Sequence, residues 1–490
     1  RKDRSDRAAL LNETYRLALP HRRRVGSGLN TKTAALTEDD VADVVDATLA
    51  ETMEDFASDM IAQFTPDNEP WARMRPVGDI PDEYRRDVQA ATSEAEMKVF
   101  EEIEKSSYYD AAHQCFSDLA NGTMAMRARR PARAGDMLEF EPIEPADLLI
   151  CHSQARGVAD GRFTEGKITV KEYKSLYGLH AEMPKNRSMR NDDDEIVLID
   201  GFYRCWENRK GDRAWRRIVM VDNELVYEKY FNDEPDVDLF LARWKVDGRS
   251  AWGVGPAFRA QPAQRALNEL TTLLMVALSK HVDPPTIYHD DGIVNFEQGF
   301  EAGDMIPAGK DFEWWQWEAK GRFDVTFFTE QDLRAQIRRA LFQDKPEQMG
   351  KTPPTATQWQ ELDVRARMRW EIPRGKIVRE WVIPIVMWTM NELTRQGRLQ
   401  PVTIDERVIR IEPFSPFAKA RSNEKVTRAR DLLGMFAQLS PDTFPADVDL
   451  AQTLRNFKAE TGDELVEVRT DEDRAEIMNA MTQPAATPQA

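Results

Sequence analysis

The stretch PAQRALNELTTLLMVALSKH, residues 262–281, decides how the chain is read. Ala263, Ala266, Leu267, Leu270, Leu273, Leu274, Ala277 and Leu278 recur at three- and four-residue spacing, and Met275 and Val276 widen the stripe. That period belongs to one face of an α-helix about 30 Å long. Asp283-Pro284-Pro285 stops it, because proline has no amide hydrogen with which to continue the ladder. A second helical pattern opens at Thr329, with Asp332 as a cap, and sets Leu333, Ile337, Ala340 and Leu341 on one face. Between the two lies a module with the strand-like runs Thr286-Ile287-Tyr288, Phe312 to Trp317 and Phe323 to Phe327. It is too small to bury Trp314, Trp315 and Trp317 alone, so these read as interface anchors at the tip of a helical stalk. A polar loop, Asp344 to Pro354, carries Lys345, Gln348 and Lys351, and a further helix opens at Thr355. Helix, small β module, helix, loop and long helix is an order suited to a subunit that surrounds a hole.

The rest of the 490 residues sets limits on what this device does. A 41% hydrophobic and 31% charged composition describes a folded chain rich in exposed charge. The longest apolar run, around Val382 to Met390, is short for a membrane span and is interrupted by Pro384. No apolar core of a signal peptide follows Arg1-Lys2-Asp3-Arg4. Cys115, Cys151 and Cys205 have no metal or disulfide spacing and read as free thiols. The formal net charge of −18 excludes a protein that grips nucleic acid over its whole surface, since phosphate binding calls for a basic one. An acidic wall suits a path along which nucleic acid passes without sticking.

The N-terminal 65 residues read as packing helices, through Leu11, Tyr15 and Ala18 and then Val41, Val44, Val45, Leu49, Met53, Phe56, Met60 and Ile61. The run His21 to Arg24 reads as a solvated or subunit-facing turn. A long acidic helix follows Trp71, with Ala90, Met97, Phe100 and Ile103 on its buried stripe. From Gly122 to Phe240 short strands take over, mostly antiparallel, with a helical insertion around Val170 to Tyr177. Arg127, Arg129, Arg130 and Arg133 form the densest basic patch, and Asn191 to Glu195 the densest acidic run. Gly350-Lys351-Thr352 imitates a P-loop end but has Lys345 where the cradle needs glycine. His289-Asp290-Asp291 has metal-ligand residue types without a second cluster at metal spacing, and His113 with Cys115 lacks a visible partner base.

The run Arg243-Trp244, Trp252-Gly253-Val254-Gly255-Pro256 and Ala266-Leu267-Asn268-Glu269-Leu270 resembles the portal, or head-to-tail connecting, proteins of short-tailed, podovirus-like bacteriophages. Asp304 to Pro307, Thr355-Ala356-Thr357-Gln358, Ile372-Pro373, Ile383 to Val386, Gln63 to Pro66 with Trp71, and Val408 to Pro413 extend the resemblance in the same order over most of the chain. Trp252 stands where tyrosine is usual, and Gln358 where an acid is common.

The resemblance implies an α+β portal fold. Residues 1–260 and 355–415 would form the wing, 261–281 and 329–343 the stem helices, and 282–328 the clip. Residues 344–354 would be the tunnel loop and 416–490 a helical crown with a disordered tail. It implies a twelve-fold ring at one capsid vertex of the virion, made in the host bacterial cytoplasm. That ring is the channel for DNA packaging and ejection. Its partners would be the major capsid and scaffolding proteins, the terminase motor, tail adaptors and the double-stranded DNA itself. Lys345, Gln348 and Lys351 would face that DNA, and Trp314, Trp315 and Trp317 would serve the clip interface. No catalytic residue, metal or cofactor is expected. The alternatives are a metal-dependent nucleic-acid-processing enzyme built on Asp192 to Asp194 or Asp290-Asp291, and a non-portal structural scaffold.

Overall fold

A computed structural model describes residues 2–22, 44–67, 69–76, 82–131, 133, 135–152, 159–178, 191–206, 214–231, 237–246, 250–289, 301–308, 315–316, 323–343, 371–400, 409–413, 416–439, 453–454 and 457. They fall into two units, 1–412 and 413–490. Helices and sheets are mixed in the first, so the α+β expectation holds.

The first unit is built on a helical core. Helices α1 (Lys2–Ala18), α2 (Thr48–Phe64), α3 (Asp82–Lys105) and α4 (Tyr108–Leu119) turn apolar faces inward around Tyr15, Met53, Phe56, Ala95, Val99 and Phe116. Trp71, just before strand β1 (Ala72–Pro76), stacks on Tyr108 with ring centroids 5.9 Å apart and meets Phe100 edge-on at 5.1 Å. Helix α2 begins later than the apolar period suggests. Val44 and Val45 precede it, because the Asp46 carboxylate accepts the Thr48 amide at 2.9 Å and fixes the helix start there. On α3 the buried stripe is Thr92, Ala95, Val99 and Ile103, whereas Met97, expected inside, is 66% exposed.

Two antiparallel sheets follow. Strand β2 (Thr123–Arg129) lies between β3 (Glu139–Ile143) and β9 (Leu239–Arg243). The five-stranded sheet runs β4 (Leu148–Cys151), β5 (Gly161–Thr169), β6 (Glu195–Arg204), β7 (Trp215–Val221) and β8 (Glu224–Phe231) in sequence order. Neighbours in chain order pair because short turns such as Asp222-Asn223, both at positive φ, close hairpins between them. Helix α5 (Val170–Tyr177) is the expected insertion, opened by a capping box in which Thr169 and Glu172 satisfy each other's backbone amides.

Helix α6 (Ala257–Val282) leads to a small sheet in which β10 (Thr286–His289) pairs with β11 (Met305–Ala308) in parallel and with β12 (Trp315–Gln316) antiparallel. Helix α7 (Phe323–Ala340) packs back against α6. It starts six residues before Thr329, so Phe323 to Phe327 are helical and not the strand that their alternation suggested. Helix α8 (Glu371–Ile377) passes through a π-turn (Val378–Val382) into α9 (Ile383–Arg395), and β13 (Ile409–Pro413) pairs with β1. The second unit contains α10 (Pro416–Leu439). No helix among the described residues is long and apolar enough to cross a membrane.

Candidate functional site

The start of α6 is fixed by backbone contact. Gly253 and Gly255 cross the turn between α4 and β2 so closely that a Cβ on Gly253 would lie 1.8 Å from the Gly122 carbonyl oxygen. Gly122 itself has φ +105°, a conformation that glycine adopts freely. The Gly253 amide donates to Thr123 Oγ1 at 2.9 Å, and the Ala257 amide donates to the Ala120 carbonyl at 2.9 Å. Arg243, 1% exposed at the end of β9, holds the other side. It donates to the Ala251 carbonyl at 2.9 Å and pairs with Glu380 of the π-turn at 2.5 Å. The Arg-Trp strand, the Gly-x-Gly turn and the helix are therefore one joint.

The buried face of α6 is not the expected apolar stripe. It consists of Ala257, Ala260, Gln261, Gln264, Leu267 and Thr271. Its polar members are bonded inward: Gln261 Nε2 donates to Thr14 Oγ1 at 2.6 Å, and Gln264 Nε2 to the Asp46 carbonyl at 2.7 Å. Asp46 also takes Arg334 of α7 at 2.9 Å. Burial alone would raise its carboxyl, but bonds from Thr48 and Arg334 hold it below the ordinary aspartate range. This clamp joins α2, α6 and α7. Hydrogen bonding to specific neighbours thus outranks hydrophobicity in choosing which side of α6 faces in. The leucine-rich side is left outward: Leu273 is 61% exposed, Met275 60% and Val282 82%, with Val276 and Leu278 beside them. At the tip, Gly303 with φ +78° sits against the Asp283 carboxylate and donates its amide to the Asp283 carbonyl at 2.9 Å, tying the end of α6 to the turn before β11.

Lys345, Gln348 and Lys351 lie outside the described residues, as do Trp314 and Trp317. Trp315 belongs to β12, where it pairs with Ile287. Asp290, Asp291 and the Gly350-Lys351-Thr352 imitation are outside them too. Asp192 pairs with Lys174 at 2.7 Å, and no group of three His, Cys, Asp or Glu among the described residues is placed to hold a metal ion. His113 is exposed and Cys115 buried on the same helix, so they do not meet. The run at 21–24 is not simply solvated, since Arg22 is 7% exposed and bonded to the buried Asp118.

Nor is the arginine cluster an open basic patch. Arg129 pairs with Glu141, and Arg130 lies 3.4 Å from Glu392. Arg127 pairs with Asp200 at 2.8 Å. Asp200 is the centre of a network that the sequence reading missed. Arg217 reaches it at 2.8 Å and Tyr177 donates to it at 2.5 Å, while Arg217 also contacts Asp238 at 3.2 Å. Burial would raise the Asp200 carboxyl, yet Arg127 and Arg217 bring it down to about 2. The available signal was an acid at an inward position of the apolar run Glu195 to Gly201.

A family model described as bacteriophage head to tail connecting protein matches residues 1–464. No curated protein matches the chain. Among solved structures, a chain in the neck of an empty GTA particle matches with a TM-score of 0.35 and 12% identity, over 85% of this chain and 94% of that one. A chain in the virion of a native gene transfer agent particle matches with a TM-score of 0.32 and 12% identity, over 83% and 93% of the two chains. Likeness at that level leaves the arrangement of parts to be read from this chain itself.

Proposed function

The chain belongs to the bacteriophage head to tail connecting protein family, and from that premise we propose that its copies close into a twelve-fold portal ring at one vertex of the capsid. The observation that carries the reading is the outward face of α6. Leu273, Met275, Val276, Leu278 and Val282 stand exposed together on a helix anchored at its base by the glycine joint and the Asp46 clamp. Contiguous apolar surface of this kind marks a protein contact. On a rigid helix repeated around an axis, it is a contact that each subunit makes with the next.

In this reading α6 and α7 are the stem, the small sheet β10–β12 is the clip, and the mixed region before α6 is the wing. Lys345, Gln348 and Lys351 face DNA in the channel. Trp314, Trp315 and Trp317 meet the packaging motor and later the tail adaptor. The net charge of −18 keeps the duplex from adhering during packaging and ejection, so cations are confined to a constriction. The ring works as a structural part of the virion, with ATP hydrolysis left to the terminase motor. Native mass spectrometry with negative-stain imaging tests this. Rings of twelve with a central hole support it; a monomer or dimer at high concentration and across salt conditions sinks it.

A further inference from the structure

A cavity of about 880 Å3 opens in the first unit between α5, the β2–β3 connection and β8, well within the range of volumes that hold ligands. Its floor is the Asp200 network, through Arg127, Arg217 and Asp238. Four guanidinium groups line it, which at first suggests an anion. Each already has a carboxylate, however: Asp200 for Arg127 and Arg217, Glu141 for Arg129, and Glu392 for Arg130.

The acids are not matched in the same way. Asp136 and Glu139 stand exposed on the rim with no side-chain partner among the described residues. Asp238 is 6% exposed; its Oδ2 contacts Arg217 at 3.2 Å, while its Oδ1 is shut off from solvent with no hydrogen bond. Once the ion pairs cancel, the charge left over around the cavity is negative. A buried acceptor without a donor beneath it has the same sign. The rim is also apolar in a way that a small cation would not need: Met137 is 60% exposed, Leu176 41% and Tyr227 45%. The carboxylates are not grouped for a metal ion.

We infer that this cavity binds a basic peptide segment of a partner protein, with an arginine or lysine side chain set against Asp136, Glu139 and the Asp238 side of the floor, and apolar neighbours laid on Met137, Leu176 and Tyr227. The inference stands on this cavity alone and does not depend on ring formation.

The test is a yeast-displayed random nonapeptide library, panned on the purified full chain and counter-panned on the Asp136→Lys/Glu139→Lys variant. Both substituted residues are exposed, so the variant keeps its fold, which an unchanged urea transition verifies. The expected result is enrichment of peptides with arginine or lysine flanked by apolar residues. A selected peptide, made with fluorescein, then binds at least tenfold more weakly to the double variant. Replacing its arginine by neutral citrulline weakens it to the same degree, and Asp238→Asn weakens binding severalfold. Enrichment of acidic peptides, equal recovery on the double variant, or equal affinity of the arginine and citrulline peptides each overturns the inference. Peptides that match a basic stretch of this chain would make the occupant a second copy and also overturn it.

Discussion

A Cβ on Gly255 would lie 2.0 Å from the Ala120 carbonyl oxygen and 2.3 Å from the Gly122 amide nitrogen, and neither backbone atom can move without shifting α4 or β2. Gly255→Ala is therefore expected to cost about 3 kcal/mol or more. Gly166→Ala, where nothing lies within 4 Å, is the control and changes stability by less than ~0.5 kcal/mol. Urea unfolding of the two variants checks the pair. Asp200 gives a pH-dependent counterpart. Its carboxyl titrates at about 2 in the folded chain because Arg127 and Arg217 offset its burial, against the usual 3.8. A depressed acid contributes stability that is present above its unfolded pKa and is lost as pH falls through the folded one. About 2 kcal/mol should thus disappear between roughly pH 4 and pH 2. In Asp200→Asn that part of the pH profile should flatten, and the variant should be destabilised at pH 7 by about 3–5 kcal/mol, since Arg127 would keep its burial and lose its charge partner. The sequence shows half of this. Ile196, Leu198, Asp200 and Phe202 all point inward with a period of two, so an acid among them asks for a cation. Which cation cannot be read from it, because Arg127 and Arg217 arrive from different strands.

Helix α6 shows how far periodicity reaches at the scale of an element. Its existence, its length and its stop at Asp283-Pro284 follow from the apolar period and the prolines, and the same reasoning located α5 and the hairpin strands. Its facing does not follow, because two stripes share the helix and the period cannot say which has a partner. Hydrogen-bond partners on α1, α2 and α7 select the glutamines for the interior. The start of α7 was missed for a related reason: the alternation in Phe323 to Phe327 resembles a strand, and the helix is extended through it all the same. A consequence is measurable. Leu273→Asp with Val276→Asp should leave the urea transition of the single chain within ~0.5 kcal/mol, since 61% and 48% of these side chains are already exposed. The same variant should remain monomeric under conditions where the parent associates. Sedimentation velocity separates the two effects, and an associated double variant would remove α6 from the contact. The π-turn gives a contrasting case. Glu380→Gln weakens the partner of Arg243, which is 1% exposed, and should destabilise the chain by about 3–5 kcal/mol whatever its state of association.

For the whole molecule the governing quantity is charge. At −18, with its arginines largely committed to internal carboxylates, the chain offers DNA little to hold. A cation ring at a constriction would then act on DNA without competition from the walls. Lys345 and Lys351, on either side of the Pro346 to Gly350 segment, are the proposed source. Each phosphate contact of this kind is weak and screened beyond about 8 Å at physiological salt, so its effect comes from repetition around the ring. Lys345→Glu with Lys351→Glu should leave rings and heads intact in electron micrographs, because neither residue belongs to the α6 contact. DNA retained per head should fall severalfold, and the defect should shrink as ionic strength rises, since salt screens the new repulsion as it screened the old attraction. A double glutamine variant separates the contributions: it removes attraction without adding repulsion, so its defect should be smaller than that of the glutamate pair. Equal packaging by all three chains would place the channel cations elsewhere. A defect in ring formation would instead make these lysines part of the assembly contact.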